Sequence, residues 1–284
     1  MRPVRRRVFV FAGLLALGAG IAVAVVVGRS PSARHVQTLA TTRSQPVHRA
    51  KPKPRIVRGP HDSAVPILMY HVLAQAPAGA AYPALWVSPA DFAAQMNWLA
   101  AHGYHAVTLG QLFAYWRRGV ALPPKPFVAT FDDGYLSDFT VGMPTLRKHG
   151  WAGVLNLIVN SVGSAGLGAG QIRALIAAGW EIDAHTVTHA DLVAVGPAQL
   201  RFEVSGSRAK LRAMFHQPVD FFCYPAGRYD ATVVAAVRAA GFLGATTENP
   251  GLGRPTQPFT LNRIRVSAGD GPAQLAQKLA LAGA

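Results

Sequence analysis

The sequence predicts an α/β fold in which parallel β/α units, near seven or eight of them, close into an irregular barrel. Three observations carry this. Short apolar runs of strand length alternate with helical stretches along most of the chain, which is the pattern of consecutive β/α units. Two of the apolar runs break off into acidic or histidine clusters, and parallel β/α folds place their chemistry at the carboxyl ends of strands. Half of the 284 residues are hydrophobic, enough for a sizeable core. No internal repeat is visible.

In order, Val65 to Val72 is a first strand that runs into Met69-Tyr70-His71. Ser88 is a helix N-cap with Pro89 in the first turn, Phe92, Met96 and Leu99 follow at helical spacing, and Gly103 ends the helix. Tyr104 to Val107 is a short strand and Leu109 to Trp116 a helix. Phe127 to Asp133 is a buried strand, bounded by Pro126 and Gly134. Leu136 to His149 reads as mostly helical, with Pro144 at a bend or a new start. Val154 to Val159 is a strand. The glycine-rich stretch from Gly163 to Gly170 is a loop without the context of a phosphate-binding fingerprint. Helix Gln171 to Ala178 leads into a strand before His185. Helix Pro197 to Phe215, strand Val219 to Tyr224, helix Ala231 to Ala240, strands Phe242 to Thr246 and Leu261 to Val266, and helix Pro272 to Leu281 complete the chain.

Asp132 and Asp133 are adjacent at a strand end. Like charges held close raise one another's pKa, so two such carboxylates are costly unless each has a task. A metal ion removes the conflict: one carboxylate ligates it and the other stays free as a base. His185 and His189 are four apart, so one helical turn would put both rings on one side. Two imidazoles and a carboxylate are a recurring ligand set for a catalytic divalent metal with open positions. Each motif alone is weak, because Asp-Asp-Gly is commonly a turn. Together, at two strand ends, they are far more specific.

TFDDGY at 130–135 and HTVTH at 185–189 resemble the first two motifs of the NodB-type polysaccharide deacetylases, carbohydrate esterase family 4. The text around them, LRKHGWAGVLNLIVN and QIRALIAAGWEIDAHTVTHADL, agrees, and the resemblance covers roughly residues 64 to 266. It implies a distorted (β/α)7-type barrel, with Asp132 as catalytic base and Asp133, His185 and His189 as ligands of one divalent ion. Zinc is the family's usual metal, and this ligand set would also accept cobalt or nickel. The "MYH" at 69–71 is similar to the branch that deacetylates poly-N-acetylglucosamine, where a histidine at the amino end of the domain replaces the late one of other members. This chain's last histidine is His216, so His71 is the candidate general acid. At the third motif, Phe222-Cys223-Tyr224-Pro225-Ala226-Gly227, the resemblance puts Tyr224 and Pro225 in the substrate groove and a backbone N–H near Tyr224 at the oxyanion; a structural turn is the competing reading. The arginine that many members carry before this proline is missing. Arg263 or Arg265 is the candidate to replace it beside Asp132, with Arg263 counted among the substrate-binding groups. Trp86, Trp116 and Trp151 are candidates for stacking on sugar rings, with core burial as the alternative.

The implied reaction is hydrolysis of N-acetyl groups on N-acetylglucosamine units of an extracellular or cell-wall polysaccharide. O-acetyl ester hydrolysis is the nearest alternative. An inactive glycan-binding module is the other, and it would lack a ligand or the base, all of which are present.

Residues 1–64 carry 12 Lys/Arg against one acidic residue, whereas 65–284 carry 16 against 12. The basicity belongs to the amino-terminal arm, and no nucleic-acid-binding fold accompanies it, so a nucleic-acid partner is not expected. Residues 1–7 form a basic segment, expected on the cytoplasmic side, and residues 8–28 carry no charge. About 20 apolar residues span a bilayer as a helix, so a single-pass anchor with the domain outside the cell is expected. A cleaved signal, with Ala22-Val23-Ala24 as its site and a secreted product, is the alternative. Residues 29–64 read as a disordered, Pro-rich basic linker, either a spacer or a tether to anionic lipid or wall polymer. Residues 65–284 form the deacetylase-like domain, and its single cysteine, Cys223, excludes an intrachain disulfide.

Overall fold

Every strand pairing in the sheet is parallel in the computed structural model, which describes residues 61–164 and 166–284. The expected anchor at 8–28 and nearly all of the linker lie outside these residues. Among the described residues no helix is long and apolar enough to cross a membrane.

Strand β1 (Ile67–Tyr70) pairs on one side with β3 (Pro126–Asp133) and on the other with β8 (Leu261–Arg265). Strands β4 (Val154–Leu157), β5 (Glu181–Ala184), β6 (Phe221–Cys223) and β7 (Gly244–Pro250) link β3 to β8 in sequence order. The result is a closed ring of seven strands. The eighth, β2 (His105–Ala106), has two residues and meets β3 only at Pro126 and Phe127, below the level at which β1 pairs from Val128 onward. The ring is irregular. β5 meets β6 at one pair, Ala184 with Phe222, and β7 shifts register against β8 between Thr246 and Pro250.

Local chemistry sets the elements around the ring. Helix α1 (Pro89–Ala101) starts where the Ser88 hydroxyl accepts the Asp91 N–H, and it buries Phe92, Met96 and Leu99. Helix α2 (Leu109–Arg118) is closed by a capping box between Thr108 and Gln111. The stretch after β3 departs from the expected continuous helix. It forms a π-turn at Asp138–Gly142 and then α3 (Met143–Arg147), with Pro144 in the first turn of α3, so the proline marks a new start. Helices α4 (Ala169–Ala177), α5 (Pro197–Phe215), α6 (Ala231–Ala239) and α7 (Pro272–Ala282) follow, α5 with the bounds its sequence predicts.

Candidate metal and catalytic centre

The strand ends deliver their side chains into one cleft of about 850 Å³, lined by His71, Asp132, Asp133, His185 and His189 among others. The chain leaves β3 through two left-handed residues, Asp133 at φ 75° and Gly134 at φ 76°. Gly134 and the glycine-rich loop pack backbone to backbone: Leu167 N–H donates to the Gly134 carbonyl, and a Cβ on Gly166 would stand 2.4 Å from that oxygen. The loop's glycines therefore serve close approach beside the Asp-Asp turn.

Asp133, His185 and His189 converge. Asp133 Oδ1 lies 3.4 Å from His185 Nε2 and 3.6 Å from His189 Nε2, and the two ring nitrogens are 3.1 Å apart. Ligands held tetrahedrally about 2.0–2.1 Å from a zinc ion stand roughly 3.4 Å from one another. The donor atoms also suit a cation. Asp133 Oδ1 is buried without a hydrogen-bond partner. His185 Nδ1 faces the Cys223 carbonyl at 2.8 Å, which fixes the tautomer that leaves Nε2 bare toward the site. The residues present fit one divalent ion.

The two histidines do not meet through a helical turn, as their spacing suggested. Residues 185–189 form a loop with Thr186 at φ 67° and His189 at φ 62°. The Thr186 hydroxyl accepts the His189 N–H at 2.8 Å. Below it, buried Glu203 of α5 accepts the N–H groups of Val187 and Thr188, both at 2.9 Å, and the Thr188 hydroxyl at 2.7 Å. Left-handed non-glycine residues are costly and persist where their surroundings over-determine them. Glu203 supplies much of that determination. Its sequence signal is a carboxylate on the buried stripe of α5, beside Leu200, Val204 and Ser207.

Asp132 is 1% exposed and takes a two-pronged grip from Arg263: Nη1 donates to Oδ1 and Nη2 to Oδ2, each at 2.8 Å. Asn156 on β4 adds a donor to Oδ1 at 2.7 Å, and the Cys223 thiol lies 3.6 Å from Oδ2. Burial alone would raise the Asp132 pKa, but the Arg263 charge and hydrogen bonds, with His71 and His185, hold it well below the carboxylate range. For Asp133, burial is again outweighed, here by His185 and His71, and its pKa is lowered. His71 Nε2 lies 3.8 Å from Asp132 Oδ2. Burial lowers the His71 pKa more than the two carboxylates raise it, which favours the neutral imidazole.

Three substrate-binding expectations need correction. The Tyr224 ring is buried, stacks on Tyr229 with centroids 5.0 Å apart, and donates its hydroxyl to the Phe259 carbonyl at 3.0 Å. Its own N–H donates to the Thr246 carbonyl in the β6–β7 ladder, so an oxyanion donor near Tyr224 would have to be a neighbouring N–H. Pro225 is buried at the start of a 3-10 turn, and it is the next residue, Ala226, that reaches the cleft. Arg263 stands behind Asp132, its five donors spent on Asp132, Thr130, Thr247 and Cys223, so the structure gives it the partner position and not a place on the groove wall. Arg265, the other candidate, pairs with Glu248 at the cleft edge. None of Trp86, Trp116 and Trp151 is among the residues lining the cleft; Trp151 packs edge-on against Phe127. Asn156 and Cys223 went unassigned by sequence reasoning, since nothing local marks a strand asparagine or a lone thiol as a neighbour of Asp132.

Residues 119–245 match the polysaccharide deacetylase family. The chain is 31% identical over 207 residues to YxkH of Bacillus subtilis strain 168, a polysaccharide deacetylase by its description, covering 72% of each protein. It is 42% identical over 60 residues to the poly-β-1,6-N-acetyl-D-glucosamine N-deacetylase of Escherichia coli K12, a match spanning 21% of this chain and 9% of that one. The structure is similar to Streptococcus pyogenes deacetylase PplD in complex with acetate, with TM-score 0.72 and 27% identity over 76% of this chain and 98% of that one. With its ring of seven strands and its TFDDGY and HTVTH strand ends, the chain belongs to the polysaccharide deacetylase family, as a NodB-type domain of carbohydrate esterase family 4.

Proposed function

We propose that the protein is a metal-dependent hydrolase that removes N-acetyl groups from N-acetylglucosamine units of an extracellular or cell-wall polysaccharide. The convergence of Asp133, His185 and His189 beside the Asp132–Arg263 pair carries this reading. Residues 8–28 would anchor the chain in the membrane with the domain outside, or, if cleaved, leave it secreted.

Asp133, His185 and His189 would hold the ion, zinc first, with cobalt or nickel as alternatives. When bound there, such an ion supplies Lewis acidity and a water of lowered pKa. Asp132, kept ionised by Arg263, accepts a proton as water attacks the acetamide carbonyl. His71 starts neutral and 3.8 Å from Asp132 Oδ2, placed to receive that proton and hand it to the departing amine as the C–N bond breaks. The products are acetate and a glucosamine unit. The small lining residues Ala81, Ala84, Gly134, Gly166 and Ala226 leave room for a sugar ring.

The test is acetate release by the purified full chain, loaded with zinc, from peptidoglycan, β-1,4 oligomers and β-1,6 poly-N-acetylglucosamine. Release from at least one, lost on chelation and restored by metal, is the expected result. Release only from O-acetylated xylan would replace the amide reading with an ester one.

A further inference from the structure

Residues 81–85, in the segment after β1, line the cleft, and the segment is tightly held. Val72 N–H donates to the Leu85 carbonyl, Val87 N–H to the Val72 carbonyl, and Ala268 N–H to the Ala84 carbonyl, at 2.9–3.1 Å. Pro83–Leu85 is a 3-10 turn with Tyr82 at its N-cap, and the Leu85 N–H closes it on the Tyr82 carbonyl at 3.1 Å. The anchored strap presents the Tyr82 side chain outward. The residue is 73% exposed, yet it lines the same cleft as His71 and Asp132. Phe202, the other exposed aromatic among the described residues, lies under Lys210 at 5.0 Å, far along the chain on α5. Tyr82 has no ring, cation or side-chain hydrogen-bond partner among the described residues.

A large flat apolar face held in water on a fixed backbone is a surface waiting for a ligand with a matching face. Tyrosine suits this place because its ring is apolar and its tip tolerates water. The pyranose ring has such a face in its axial C–H groups. The cleft volume lies high in the range of roughly 300–1,000 Å³ typical of ligand sites, more than a reacting acetamide needs. Resting on the glycan deacetylase reading above, we propose that Tyr82 is a stacking platform for a sugar unit next to the one being deacetylated, so that the protein selects chains over single sugars. Tyr82 is a positioning residue and takes no part in proton transfer.

The experiment compares the wild-type full chain with Tyr82→Ala and Tyr82→Trp, on N-acetylglucosamine oligomers of increasing length and on an activated aryl acetate. Tyr82→Ala is expected to raise KM for the longer oligomers about 3- to 10-fold, the scale of one aromatic contact. Its kcat should hold, the aryl acetate should be unaffected, and Tyr82→Trp should keep the preference for length. Unchanged KM in Tyr82→Ala, equal loss on the aryl acetate, or no dependence on length in the wild type overturns the platform while leaving the deacetylase reading intact. A wild type that releases acetate from no glycan removes that reading, and the platform with it.

Discussion

Two carboxylate pairs in the same barrel, one at the end of β3 and one on β5, ionise in opposite directions. At the end of β3, Asp132 and Asp133 are both held below the usual carboxylate range: Arg263 outweighs burial at Asp132, and His185 and His71 outweigh it at Asp133. Two strands away, Glu181 and Asp183 share one face of β5, and burial, with Asp220 nearby, raises both. Glu181 Oε2 accepts the Gly110 N–H at 2.8 Å and Asp183 Oδ1 the Phe221 N–H at 3.0 Å, while Glu181 Oε1 and Asp183 Oδ2 are left over. Arg208, which pairs with Asp220, is committed to it and to the carbonyls of Val219 and Ala240. One proton held between the leftover oxygens would satisfy both. Both are pairs of carboxyl groups, and for Asp132 it is the buried guanidinium that makes the acid a base in waiting and not a neutral structural group.

Removing that guanidinium should erase the difference. Arg263→Met leaves Asp132 buried without its cation, and losing one partner of a buried pair costs about 3–5 kcal/mol. The variant should unfold at markedly lower denaturant and lose most turnover, and Arg263→Lys should recover little because a lysine cannot reproduce the two-pronged grip. A variant with wild-type midpoint and rate would show that the pairing does not matter.

His71 sharpens the functional half of the comparison. An amine leaves poorly without a proton, and a positioned donor contributes about 10²–10⁴-fold. His71→Ala should lose turnover of an acetamide on that scale, keep its metal, and lose far less on an aryl acetate, whose phenolate departs unprotonated. Equal losses on both substrates would remove His71 from the acid role.

The β5 pair predicts the smallest effect. Its folded pKa is raised, so its stabilising contribution is complete below the unfolded carboxylate range, near about 3.9, and is lost as pH rises through the folded value. Stability should fall by up to about 1.4 kcal/mol per pH unit across that interval. Asp183→Asn keeps a donor toward Glu181 and removes the charge beside it, so this slope should flatten in denaturant midpoints measured against pH. A slope that persists would mean that the pair shares no proton.

Much of this was legible in the chain wherever information is local. Caps at Ser88, the bounds of α5 and the two chemical motifs sit within a few residues of what determines them. Arg263 is 131 residues from Asp132 and reaches it because ring closure lays β8 against β1, and β1 against β3. Sequence reasoning could name it as a candidate and could not place it. Tyr224 is the converse case: its motif is local, but whether its own N–H is free depends on how far β7 extends beside it. The histidine spacing pointed to two rings that do meet, but through a loop and not a helical turn, and Glu203, which holds that loop, comes from a helix that sequence cannot dock.

The most direct measurement is metal content alongside turnover, for the purified full chain and for His185→Ala. The wild type is expected to retain one divalent ion per chain and to release acetate from an N-acetylated glycan. His185→Ala is expected to lose both while its circular dichroism stays that of the wild type. A His185→Ala protein that keeps a full complement of metal and full turnover would contradict the assignment of Asp133, His185 and His189.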